Sequence, residues 1–407
     1  MEIENSCCKI YNQKDVNSPE SELPKFLQSC IDSIIIKEGF LNPNIKINKI
    51  PIDGGNYLAC LYAVDICGKT KCGEKEINIF IKNSIPVDES YADLFLLSEL
   101  YCNECFVYKD LSKIFKKLED EANVPLEERY RIAKCYDESS SEAIILENLA
   151  KKGFRTCDRK EIVPLKYTEL AVQQLAKFNS FGFIIQKMMP GYFEKKISCL
   201  PDSMDFGDGW RNIMKKTAKF SIKNMSSDAK KKAEVIIENV DVYTEYMIDK
   251  SSVLTLCHGD YRANNVMMRE KEGEVVDVMP VDYQIIRYGC PANDLLYFIY
   301  GCTDPQFRRR HMKHLIDMYY ETMTNYLKYF NIDITEVYPR KEFDSSLRNR
   351  QHFGVLVALC FYAFYYAPKD NPPDLTKGSD CLDIDVDLDI VKRIEDTIEE
   401  IDHQCFL

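Results

Sequence analysis

Two short motifs, HGDYRANN at residues 258–265 and MPVDYQ at residues 279–284, are separated by an interval that a single hairpin can span. Apolar runs at 265–269 and 275–281 flank a Lys-Glu-Gly turn signal at 271–273. That pattern predicts an antiparallel hairpin that folds the motifs side by side. Any fold of this chain must therefore bring Asp260 and Asn265 close to Asp282. Read as H-x-D-x-x-x-x-N followed by D-aromatic-x, these residues supply what phosphoryl transfer needs. Asp260 is the carboxylate that orients an attacking hydroxyl and takes its proton. Asn265 and Asp282 are the oxygen ligands for magnesium. Either motif alone is ordinarily a turn or a cap; the tandem carries the signal.

The remaining parts of such a site lie upstream. EINIFIK at 76–82 reads as a β-branched strand closing on Lys82, the cation for the phosphates. A helix over 91–118 follows, and its Glu104 can turn inward to hold that lysine, with Glu99 as the rival carboxylate. Before the strand, IDGGNYLA at 52–59 offers Gly54, Gly55, Asn56 and Tyr57 as a loop whose backbone approaches a nucleotide phosphate. A strand at 60–66 follows. AIILENL at 143–149 reads as a strand entering a hinge, with Glu147 to Leu149 beside adenine. Asp294 follows Asp282 too closely for a peptide-docking activation segment, and Gln284 replaces the glycine of a D-F-G turn, so a protein kinase is excluded. Asp294 opens a helix, where its carboxylate can also accept bonds from the catalytic-loop backbone. His258 reads as a loop organiser, since Asp260 already fills the base role.

These residues resemble the ecdysteroid kinase-like family of insects, relatives of choline kinases and aminoglycoside phosphotransferases. GGNYLA, IFIK, NECFVY, ILENLAKKGFRTCDR, HGDYRANN, VDYQ and YGCPANDLLYF carry the resemblance along nearly the whole chain. It implies an α+β, bilobal protein-kinase-like fold, with a small antiparallel-sheet lobe over 1–149 and a larger, mainly helical lobe over 150–407. It also implies ATP and Mg2+ as cofactors and a small lipophilic alcohol as acceptor, ecdysteroids being the named example. A choline or ethanolamine kinase and a non-catalytic kinase-shaped binding protein are the alternatives. Three positions depart from the family: Arg262 stands for its usual Trp, Tyr283 for Phe and Asn179 for His. Arg262 is expected on the acceptor side or toward the adjacent lobe, where the change alters acceptor choice.

Composition narrows the remaining classes. The formal net charge of −12 argues against nucleic acid or an anionic membrane as the main partner. The longest apolar run, at 355–367, is too short to span a bilayer and reads as core helix. Its Tyr- and Phe-rich face suits a lipophilic alcohol. The 17 cysteines are scattered, without paired metal spacing, and the acidic N-terminus lacks a secretory signal. Free thiols in a cytoplasmic enzyme are expected, with no protein partner evident. Further helices are expected at 24–40, 165–180, 210–229, 230–250 and 390–403. A loop at 200–209 is a surface connection or an acceptor entrance. The acidic stretch at 369–389 lacks the glycine and closing glutamate of a calcium loop.

Overall fold

The computed structural model describes residues 23–51, 59–84, 97–157, 163–200, 207–238, 252–350, 352–367 and 384–403. The loop Gly54, Gly55, Asn56 and Tyr57 lies outside them, as does most of the acidic stretch.

The first half is built on an antiparallel sheet in the order β1-β2-β3-β4: Phe40–Ile50, Ala59–Thr70, Gly73–Ser84 and Ala143–Glu147. Alternation along β3 sends Ile79 and Ile81 to one face and Lys82 to the other. The Ile79/Ile81 face forms a core with Val64, Ile66 and Ile145 and with Leu27, Ile31 and Ile34 of helix Lys25–Lys37. Lys82, on an inner strand, is in register with Leu61 of β2 and Ile144 of β4. A helix in two pieces, Leu97–Phe106 and Ser112–Glu121, is joined by a π turn at Val107–Leu111 whose Val107, Tyr108 and Leu111 are buried. π turns of this kind often mark a site where a helix must aim particular side chains.

The second half is mainly helical. Its central helix, Leu165–Met188, runs past the expected end at residue 180 because its continuation remains buried through Ile185. Gly182 allows its closest approach. A Cβ added there would lie 2.0 Å from Thr255 Oγ1 and 2.4 Å from Leu256 N. The helix thereby lies directly against β6 (Thr255–Cys257), the strand that delivers His258. β6 pairs with β9 (Arg287–Gly289), and β5 (Phe154–Arg155), β7 (Val266–Lys271) and β8 (Glu274–Pro280) form a separate three-stranded sheet. The predicted hairpin is β7–β8, turning through Glu272 at φ +55° and Gly273 at φ +85°.

Other helix boundaries differ from expectation: the first helix ends at Lys37 because Phe40 begins β1. The helices expected at 210–229 and 230–250 fall at Gly207–Ile222 and Ser227–Glu238, with the break before Ser227 rather than after residue 229. Consecutive serines at 226 and 227 start the second helix, and Ser226 O accepts the first-turn bond from Lys230 N. Beyond the β7–β8 hairpin come Pro291–Cys302, Pro305–Lys328, Arg340–Asn349, a helix from Phe353 to Tyr365 interrupted by a π turn at Val357–Phe361, and Leu388–His403. Among the described residues no helix is long and apolar enough to cross a membrane.

Candidate active site

The two halves meet at Lys82. Its ammonium lies 2.8 Å from Glu104 Oε2 and 2.7 Å from Asp282 Oδ1, so one cation ties β3, the split helix and the turn after β8. Glu99, the rival carboxylate, is exposed, whereas Glu104 is only 2 % exposed. Burial opposes the charge on Lys82, but Asp282 and Glu104 together raise it well above an ordinary lysine. Burial pushes the Glu104 carboxyl above its ordinary value against the pull of Lys82. Despite its own burial, Asp282 is held below its ordinary value by Lys82.

Asp282 occupies the left-handed region at φ +67°, a conformation that aspartate tolerates better than most residues and that recurs at functional turns. Tyr283 behind it is fully buried. It packs against His258, with ring centroids 4.9 Å apart, and edge-on to Tyr108 at 5.2 Å, and its hydroxyl pairs with Tyr130 OH at 2.7 Å. Asn103 Nδ2 donates to Gln284 O at 3.1 Å, a second tie between the Glu104 helix and this turn.

The loop carrying Asp260 is held from several sides. Gly259 has φ +83°, and a Cβ there would meet Ile285 O at 2.0 Å, so only glycine fits between His258 and Asp260. Asp294, in the first turn of Pro291–Cys302, accepts from His258 N at 2.7 Å and Gly259 N at 3.0 Å. Asn179 joins this network: its Nδ2 donates to Leu256 O at 2.9 Å and Asp294 Oδ2 at 3.3 Å, and its Oδ1 accepts from Tyr319 OH at 2.7 Å.

His258 Nε2 lies 3.2 Å from Val281 O, linking the two motifs. Burial holds the imidazole below its ordinary 6.5, outweighing the nearby carboxylates. The unfolded chain then binds this proton more readily, so the stability conferred by neutral His258 is full above about pH 6.5 and is lost as pH falls below it. Urea unfolding at about pH 7.5 and about pH 5.5 should show a larger loss in the native chain than in His258→Gln. Equal losses would remove this role.

Asn265 Nδ2 donates to Asp260 O at 2.9 Å and Asp260 Oδ2 at 2.7 Å. Its Oδ1 and the Oδ2 of Asp282 accept no hydrogen bond among the described residues. These hard oxygen donors fit a magnesium ion that keeps waters and phosphate oxygens in its remaining positions. No group of three His, Cys, Asp or Glu side chains able to hold a metal exists among the described residues. At the expected hinge, the Glu147 carboxylate is engaged by Lys134 N at 3.0 Å and by Lys152, the backbone N–H groups of Glu147 and Asn148 are bonded to Lys134 O at 2.9 Å and Asn78 O at 2.8 Å, and Leu149 is buried.

Two further residues beside Asp260, Tyr297 and Tyr365, were not singled out by the sequence, whereas Arg262 was expected on the acceptor side or toward the adjacent lobe. Tyr297 OH donates to Asp260 Oδ1 at 2.8 Å and pairs with Tyr365 OH, while Arg262 Nε lies 3.0 Å and 3.2 Å from the two Asp260 oxygens. Tyr297 sits one helical turn after Asp294, a spacing visible in YGCPANDLLYF, but Tyr365 reaches the site only through packing.

The model of the ecdysteroid kinase-like family matches residues 53–332. The chain belongs to this family. Membership places it among small-molecule kinases, and the architecture is a protein-kinase-like fold. Among solved structures, the chain is similar to an ethanolamine kinase of Plasmodium vivax (13% identity, TM-score 0.38), over 87% of this chain and 80% of the other. It is also similar to a mutant aminoglycoside 2'-phosphotransferase-IIIa in its GDP complex (10% identity, TM-score 0.41, 91% and 96% coverage). A GDP and kanamycin complex of a related aminoglycoside phosphotransferase matches at 11% identity and TM-score 0.39, covering 92% of this chain and 99% of that one. No curated protein sequence matches the chain. Within this ecdysteroid kinase-like member, Asn179 and Tyr283 fill their departing positions with buried hydrogen-bonded groups, and Arg262 fills its position with a charge.

Proposed function

We propose that this protein transfers the γ-phosphoryl group of ATP to a hydroxyl of a small lipophilic alcohol, an ecdysteroid or similar steroid-like metabolite fitting best. The observation that carries the reading is Lys82 bridging Glu104 and Asp282, with Asp260 and Asn265 bonded to each other on the adjoining loop. The nucleotide would lie between the lobes at 1–149 and 150–407, its adenine at Glu147 to Leu149 and its phosphates beside Lys82 and under Gly54 to Tyr57. Asn265 and Asp282 would hold Mg2+, which when bound neutralises charge on the phosphate oxygens. Asp260 orients the acceptor hydroxyl and takes its proton as the acceptor O–P bond forms and the bond to the departing ADP oxygen breaks. His258 and Asp294 act by fixing the loop that carries Asp260. Most aromatic residues of the Phe353 to Tyr365 helix are buried core, but the part-exposed Tyr365, tied to Asp260 through Tyr297, offers a ring that would suit an apolar acceptor. The described cysteines are free thiols, in line with a cytoplasmic setting.

Asp260→Asn tests the assignment. It keeps the side-chain shape and should lower kcat by about a hundredfold or more while nucleotide still binds. ADP release in the presence of a lipophilic alcohol measures the first quantity and calorimetric titration the second. Undiminished turnover in this variant would remove Asp260 from the mechanism.

A further inference from the structure

The acceptor side of Asp260 already contains a cation. Arg262 Nε lies 3.0 Å from Oδ1 and 3.2 Å from Oδ2 of that carboxylate, and its guanidinium stands 4.9 Å from the centroid of the Tyr365 ring. Tyr365 is itself tied to Asp260 through Tyr297, whose hydroxyl donates to Oδ1 at 2.8 Å. A carboxylate beside an aromatic face is the chemistry that recognises an organic ammonium group. Here the protein's own guanidinium fills that place. The Arg262 side chain is only 16% exposed, and an arginine keeps its charge at any working pH. Its terminal nitrogens make no hydrogen bond among the described residues, so their N–H groups can donate to an oxygen of an incoming molecule.

We propose that Arg262 selects the acceptor by charge, admitting neutral or anionic alcohols to Asp260 and rejecting alcohols that carry an ammonium group. The inference deepens the proposed function and rests on it. Arg262 is a specificity residue here: it offsets the charge of Asp260, so an incoming cation meets no net attraction, and it occupies the aromatic face such a cation would use. An ammonium group placed beside it faces like-charge repulsion in a partly desolvated site, where such juxtapositions are costly. An alcohol with an oxygen next to the reacting hydroxyl gains a hydrogen bond from the same guanidinium. The choline and ethanolamine reading is thereby disfavoured by a residue of this chain.

The test uses a matched pair of alcohols of nearly the same shape, choline and its uncharged isostere 3,3-dimethylbutan-1-ol. Their kcat/KM values with Mg2+ and ATP are compared in the native protein, in Arg262→Lys and in Arg262→Gln. The native protein should favour the neutral alcohol by about tenfold or more. Arg262→Lys should retain a preference of the same sign, and Arg262→Gln should abolish or reverse it, because Asp260 and the Tyr365 ring are then free to take the ammonium. A general structural role would alter both alcohols equally and leave the ratio in place. A native preference for choline, or an unchanged ratio in Arg262→Gln, overturns the inference and leaves the kinase reading standing. Bound nucleotide without turnover of any alcohol across a wider neutral and cationic panel removes that reading, and this inference with it.

Discussion

Asp282→Ala is expected to reduce kcat by about a thousandfold or more, the largest functional effect of any single change in the site. Asp282 makes two contributions at once. Its Oδ1 holds the Lys82 ammonium at 2.7 Å, and its Oδ2 is open to a metal. Alanine removes both, leaving Lys82 with Glu104 alone and Asn265 as the remaining proposed metal oxygen. Asp282→Asn separates the two contributions. It keeps an oxygen near the metal position but loses the charge that raises Lys82 and balances a divalent ion. Both variants should retain the fold, because the turn is also anchored by buried Tyr283 and its bond to Tyr130. Alanine in the left-handed conformation at φ +67° adds a local cost of about 1–2 kcal/mol, well below typical global stability. Steady-state kinetics should therefore show the kcat loss, with magnesium-dependent nucleotide affinity falling in parallel. Asp282→Ala turnover within tenfold of the native value would dismantle the metal assignment.

The largest stability effect is expected at Glu400, in helix Leu388–His403. Its carboxylate and the Arg308 guanidinium are both fully buried, with Arg308 Nη2 2.6 Å from Glu400 Oε2. Arg308 Nε lies 3.2 Å and 3.0 Å from the two carboxylate oxygens, Nη1 donates to Thr303 O at 2.6 Å and Nη2 to Thr397 Oγ1 at 3.0 Å. The guanidinium also lies over Tyr300, 4.5 Å from its ring centroid. This network fastens helix Leu388–His403 to Pro305–Lys328 and to the end of the helix bearing Tyr297. Glu400→Leu leaves a buried guanidinium without its counter-ion, at a cost of about 3–5 kcal/mol. Against a total stability of about 5–15 kcal/mol, that is a large share. Arg308→Met combined with Glu400→Leu should recover most of the loss, since removing both charges also removes their desolvation cost. Urea unfolding of the single and double variants reads this coupling directly. A loss below about 1 kcal/mol for Glu400→Leu would show the pair to be dispensable.

Legibility from sequence depended on range. The β7–β8 hairpin was readable because its turn and its alternation are local, and it places Val266 opposite Pro280 in the ladder, bringing Asn265 near Asp282. Lys82 was readable as the end of an apolar strand, although the strand continues to Ser84. Choosing Glu104 over Glu99 required the structure, because both sit on one helix and only packing decides which face turns inward. The break between helices at 223–226 was misplaced because the lysine-rich segments on either side have similar helix propensity, so periodicity alone does not locate it. Arg262 was legible as a departure, but nothing local to it announced Tyr365.

The sequence alone determined the candidate groups and two of their local supports: the hairpin, and the carboxylate at the start of helix Pro291–Cys302. These follow from backbone geometry and periodicity over a few residues, which side-chain identity controls directly. Only the tertiary structure decided that Lys82 is shared between Glu104 and Asp282, and that Arg262 and Tyr297 converge on Asp260 with Tyr365 behind them. Those contacts join residues as far apart as Lys82 and Asp282, and their register is set by how buried faces of separate helices and sheets fit together. Charge placement around Asp260 is therefore a property of the packed molecule, although each charge is written in the chain.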